Sequence, residues 1–159
     1  MSSQRNQKSL TGQVTRTIHE YCKDGDLEAV KNSTEDLNTL DRCKNTPLIV
    51  ASMHGQTEIV KYLLSKGVDV NRNNVNYHSS ALTYACWMGH TEIVVELLRV
   101  QGIRVDQREK NGNTPLINAL LQGHLKIAEI LLKNRAKPHL ANRDGESGFT
   151  LNPMLVSGF

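Results

Sequence analysis

A chain of 159 residues is the length of one ordinary domain, and a net charge of +3 is too weak to mark a nucleic-acid binder, which needs a concentrated basic face. Aromatic residues make up only 4%, so a large aromatic core is excluded and aliphatic side chains must do the packing. The three cysteines, Cys22, Cys43 and Cys86, are odd in number, far apart and without C-x-x-C spacing, which argues against a disulfide frame or zinc site and for a reducing compartment.

Residues 1–12 are polar, rich in Ser, Gln and Asn, and read as a flexible N-terminal tail. They hold no apolar run for a signal peptide, and nothing further on has the length to span a bilayer. A cytoplasmic or nuclear protein is expected.

Residues 13–40 carry a shortened pair of helical segments. Arg16-Thr17-Ile18-His19 opens the first, and Asp24-Gly25-Asp26-Leu27-Glu28-Ala29-Val30 supplies a turn and a second helix predicted to stop near Ser33 or Thr34. Its polar outer residues suit a solvent-facing end. In residues 41–75, Thr46-Pro47-Leu48 opens a helix predicted over 46–54. Proline costs nothing in a first turn, and threonine caps the free N–H groups. Gly55 turns the chain, a second helix follows over 57–65, Gly67 ends it in a left-handed cap, and Val68-Asp69-Val70-Asn71 extends onward. Residues 76–109 repeat the plan from Ser80-Ala81-Leu82 and Gly89, with one extra residue before Gly102 and Asp106 in the place of Asn71. In residues 110–142, Thr114-Pro115 precedes Leu116, Ala119 and Leu120, which share one helical face. Gly123 then precedes the apolar face of Ile127, Ile130, Leu131 and Leu132. Residues 143–149 begin another unit; Pro153 falls inside its expected helix and should interrupt it, which leaves 150–159 as a tail or an irregular cap.

The turn glycines at 55, 89 and 123 are each 34 residues apart, a period that marks a solenoid. With the T-P-L starts, the G-H/Q-x-x-I-V second helices, Leu63-Leu64, Leu97-Leu98 and the tail Gly67-Val68-Asp69-Val70-Asn71, the chain resembles an ankyrin-repeat protein. That resemblance implies an all-α solenoid of stacked helix-turn-helix units with projecting β-hairpin-like fingers. Arg135 then stands where the family expects a helix-ending glycine. A left-handed non-glycine residue costs roughly 1–2 kcal/mol, so that turn should be strained or reshaped.

No catalytic constellation stands out: there is no G-x-S-x-G, H-E-x-x-H or G-x-x-x-x-G-K. His90 and His124 recur with the repeat, but equivalent places in adjacent units lie about 10 Å apart, too far for one metal ion. Each is read as starting a helix and bonding a neighbouring loop. No metal and no cofactor is expected.

In ankyrin-like stacks the concave face is built from inner helices and finger tips, and the two residues before each turn glycine point to it. Here those pairs include Met53-His54, Trp87-Met88 and Leu121-Gln122, and the only tryptophan lies in the middle of the row. Aromatic and methionine side chains are what a binding hot spot uses. Lys44, Tyr77 and Lys110 on the fingers complete the candidate partner-binding set. The finger charges are mixed, and both a preference for acidic partners and an ordinary solvated surface fit them. The resemblance also makes Asn71, and more weakly Asn38, a candidate for asparagine hydroxylation; a turn-capping role for the Asn71 amide is the competing reading. The expected function is non-enzymatic docking of a partner protein by a monomer, as scaffold, adaptor or steric inhibitor. The alternative is the substrate-targeting part of a larger signalling or ubiquitin-ligase assembly.

Overall fold

The repeated Thr or Ser before each first helix does what its chemistry dictates. Its hydroxyl accepts the N–H three residues on: Thr46 from Ile49 at 3.2 Å, Ser80 from Thr83 at 3.2 Å, Thr114 from Ile117 at 3.3 Å. Serine serves as well as threonine here, and Ala81 starts its helix without proline. A computed structural model describes residues 16–159, so the tail read over 1–12 lies outside the described residues.

The helices pair in chain order. The first pair is α1 (Ile18–Asp24) and α2 (Leu27–Asn32), and the second is α3 (Pro47–Met53) and α4 (Thr57–Ser65). The third is α5 (Ala81–Met88) and α6 (Thr91–Leu98), and the fourth is α7 (Pro115–Leu121) and α8 (Leu125–Lys133). Two one-turn helices follow, α9 (Gly148–Leu151) and α10 (Pro153–Val156), split where Pro153 was expected to interrupt. α2 stops at Ser33, as its sequence predicts. Each pair packs on the next, with α1, α3, α5 and α7 in one row and α2, α4, α6 and α8 in another, and α9 lies against α7.

Equivalent positions fill the core. Leu48, Leu82 and Leu116, then Ile59, Ile93 and Ile127, then Leu63, Leu97 and Leu131 are all buried, so each apolar stripe is covered only by its own pair and the neighbouring ones. In the first row Ala51, Ala85 and Ala119 recur at the helix-helix contact. Their small side chains let those helices approach closely, and contact along this row is more extensive than along the other. The α1–α7 row is therefore the more closely packed of the two.

Between pairs the chain projects in fingers of five or six residues. Each closes with a backbone hydrogen bond: Asp41 N to Asn45 O, Asn74 N to Ser79 O, Glu109 N to Asn113 O, Asn142 N to Glu146 O. They turn as hairpins do, but no strand occurs among the described residues. One bond per finger is too little for a ladder, and side-chain amides take its place. Asn74, itself buried, donates to Asn45 Oδ1 at 3.0 Å and accepts from Tyr77 N and Ser79 N. Ser79 Oγ donates to Glu109, whose other oxygen accepts from Asn118 Nδ2 at 2.9 Å. Asn113 donates to Asn118 at 2.7 Å, and Asn142 donates to Asn113 at 2.8 Å. A strip of paired amides thus runs beneath the fingers from the second unit to the fifth.

Candidate protein-binding groove

The second helices begin at Gln56, His90 and His124, and none of these side chains caps its own helix. Each reaches back one unit instead. Gln56 Nε2 donates to Lys23 O at 3.0 Å, His90 Nε2 to Met53 O at 3.2 Å, and His124 Nε2 to Trp87 O at 3.2 Å. A carbonyl only accepts, so Nε2 carries the proton in both histidines. The ring also lies over the preceding turn glycine: a Cβ built on Gly89 would come within 2.7 Å of His124. Gly89 has φ +81° as well, so glycine is required there twice over. Two of these acceptors, Met53 and Trp87, are candidate residues near the ends of first-row helices α3 and α5. The ends of α1, α3 and α5 are therefore each fixed by the unit that follows.

Beside α5 lies a groove of about 410 Å³. α5 contributes Thr83, Tyr84, Trp87 and Met88; the finger before it contributes Tyr77; the next finger contributes Glu109, Lys110 and Asn111. A backbone bond of 3.0 Å from Lys110 N to Tyr77 O ties the two fingers together. Trp87 is 40% exposed and Met88 45%, so both keep free surface in the groove. Tyr84 is half-buried, its hydroxyl accepting from Asn74 Nδ2 at 3.0 Å. Burial, with the Glu109 charge adding to it, raises its phenol above the ordinary value despite hydrogen bonds that act the other way.

Tyr77, Trp87, Met88 and Lys110 of the candidate set thus share one groove. The other candidates lie outside it. Met53 is half-buried against the core. His54 is exposed, with Nδ1 3.1 Å from Val50 O. Leu121, 39% exposed, and Gln122 end α7. Lys44 is exposed on its finger with φ +64°. Tyr84 and Glu109 are groove residues that the sequence reading did not select. The helical spacing of Tyr84 to Trp87 and Met88 was the available signal for the first; nothing local marked the second. Asn71 is placed as a clip between units: its amide donates to Gly102 O at 2.9 Å and accepts from Arg104 N at 2.8 Å. Asp106 makes the accepting half of this clip in the next unit, taking a bond from Lys137 N at 2.9 Å.

Among the described residues, no group of three or more His, Cys, Asp or Glu is arranged to hold a metal ion, and no helix is long and apolar enough to cross a membrane.

Stacked helix pairs joined by tight fingers define a repeat solenoid. The family described as ankyrin repeats, in three copies, matches residues 18–109 and 79–144, and the chain belongs to it. Such repeats are protein-interaction modules. The chain is similar to the human transient receptor potential cation channel subfamily A member 1, 32% identical over 91% of this chain and 13% of the channel. It is 33% identical to the E3 ubiquitin-protein ligase Ufd4 of Drosophila melanogaster, over 94% of this chain and 6% of the ligase. The putative ankyrin repeat protein YahD of Escherichia coli is 29% identical over 80% of this chain and 83% of its own length. The chain therefore spans a small fraction of the first two proteins and most of the third.

Proposed function

We propose that this chain is a non-enzymatic docking module that binds a partner protein on its curved inner face, with Trp87 at the centre of the contact. The observation that carries this reading is the open groove at Trp87, where an indole, a thioether and two phenols stand partly free on a rigid helix-and-finger frame. Groove residues supply apolar contact, while Met53, His54, Leu121 and Gln122 extend the footprint along the row and Lys44 adds a charged rim. The module works as a monomer in the cytoplasm or nucleus, as scaffold, adaptor or steric inhibitor. Affinity capture with the wild type and Trp87→Ala side by side tests it. Partner recovery should fall by about tenfold or more, the loss typical of an aromatic hot spot, with helix content unchanged. Equal recovery by the two proteins would refute it.

A second reading makes the module the substrate-targeting part of a larger assembly. Similarity to a ubiquitin-protein ligase over nearly this whole chain favours it. Recovery of ubiquitin-ligase components in the wild-type capture tests that reading. Hydroxylation of Asn71 is proposed on the family resemblance alone, and mass spectrometry of the residue in protein from a host cell tests it.

A further inference from the structure

The charge in the groove is what its apolar lining does not explain. Glu109 sits half-buried at the root of its finger, and both its oxygens accept from neutral donors, the Ser79 hydroxyl and the Asn118 amide. Among the described residues no Lys, Arg or His comes within ion-pair distance of it. A carboxylate whose partners are neutral dipoles has no opposite charge beside it to offset its own, and partial burial carries that charge farther than water would allow. The same groove is lined by Tyr77, Tyr84 and Trp87. Aromatic faces are electron-rich and attract cations, tryptophan most strongly.

The hydrogen-bonding state of the lining narrows the guest further. The oxygens of Thr83, Tyr84, Glu109 and Asn111 already take part in hydrogen bonds within the chain. A bare ammonium entering here would find the Tyr77 hydroxyl and Glu109 oxygens that each already share one hydrogen bond, fewer acceptors than water offers it. A methylated ammonium has few or no N–H groups to satisfy and carries its charge on apolar methyls, which suit rings and a thioether. Lys110, at the edge of the groove, opposes any cation, but its charge rides on a flexible exposed stem rather than at the root of the finger.

We propose that the groove between Trp87 and Glu109 is a site for a methylated ammonium group, carried by a methylated lysine side chain of the partner. The proposal rests on the docking reading only for the claim that a protein carries the group. The aromatic faces supply affinity, and the Glu109 charge selects a cation over a neutral group of the same shape.

Trp87 is the only tryptophan, so its fluorescence reports this groove. The experiment titrates the full chain with choline and with its neutral carbon isostere dimethylbutanol. It then titrates one peptide carrying trimethyllysine, free lysine or norleucine at a single position. Choline should bind about fivefold tighter than the isostere, and the trimethyllysine peptide should be tightest of the three. Glu109→Gln should reduce the preference for choline, and Lys110→Ala should increase choline affinity. Tyr77→Ala, on an exposed finger residue, should weaken choline with the helical circular dichroism intact, which keeps the test meaningful if Glu109→Gln unfolds. Equal or better binding of the isostere or the norleucine peptide overturns the proposal, as does a preference for free lysine. Weaker choline binding by Lys110→Ala overturns it as well. The two readings fail separately. Capture that is lost in Trp87→Ala without any choline preference removes the ammonium site alone; capture that survives Trp87→Ala while choline still binds the wild type removes the docking reading.

Discussion

His124 donates from Nε2 to the main-chain oxygen of Trp87, 37 positions earlier in the chain, across 3.2 Å. The bond fixes the end of α5 from the following unit, so the indole is positioned by a residue that does not touch it in the groove. His124→Ala should cost about 1 kcal/mol of stability and also shift the emission of Trp87. His90→Ala removes the equivalent bond to Met53 and should cost a similar amount while leaving the emission unchanged. Urea titrations read by circular dichroism, with emission spectra recorded in buffer, separate the two effects.

Arg135 adopts φ +65°, where the two preceding units place Gly67 at +73° and Gly102 at +83°. The strain expected from its sequence position is therefore present. Arg135→Gly should stabilise the protein by about 0.5 to 1 kcal/mol, the relief of the left-handed side chain less the added freedom of the unfolded chain. Gly67→Ala should destabilise it by about 1 kcal/mol. Opposite shifts of the urea midpoint are the expected pair of results.

Two buried polar groups should respond in opposite ways. Ser52 Oγ is fully buried without a hydrogen-bond partner, so Ser52→Ala should leave stability unchanged or raise it by about 1 kcal/mol. Asn118 joins Glu109 to Asn113 in the strip beneath the fingers, and Asn118→Ala should cost about 3 kcal/mol by stranding both partners. Thermal unfolding of the two variants decides.

Burial pushes the Cys22 thiol up to about 12, with the nearby Glu35 charge adding to it, and pushes the Cys86 thiol higher still. In the unfolded chain both ionise near pH ~8.5. The folded state thus holds these protons longer than the unfolded one. Stability from this source is complete below about pH 8.5 and falls as pH rises toward the folded values. Unfolding free energy at pH 10 should be lower than at pH 7 by about 1 to 2 kcal/mol for each buried thiol, and Cys86→Ala should remove part of that slope. Cys43, exposed on its finger, should be the one cysteine that a thiol reagent labels quickly at pH 8 in the folded protein.

Much of this architecture was legible because it is periodic. The turn glycines, the hydroxyl caps and the helix bounds near 47–53 and 57–65 follow from residues that must sit where they do. The left-handed Arg135 and the break at Pro153 were readable as departures from that period. The left-handed backbone of Lys44 and His78 was not readable, because no glycine marks those finger positions. Nor was the amide strip: Asn74 meets Asn45, and Asn142 meets Asn113, only after whole units have stacked. The groove was half legible. Trp87 and Met88 were visible beside their glycine, but Glu109 enters from the following finger, and its uncompensated charge shows only once its neighbours are placed.

The backward reach of Gln56, His90 and His124 changes what counts as an interchangeable part. A cut at the repeat boundary would separate each glycine from the ring that covers it and each carbonyl from its donor. Because these pairs overlap along the chain, any single splice between Gly25 and His124 parts one of them, so a chimera keeps the contact only where the second parent carries the same histidine or glutamine opposite that glycine. Moving the tryptophan groove into another scaffold means taking the downstream helix start along with it.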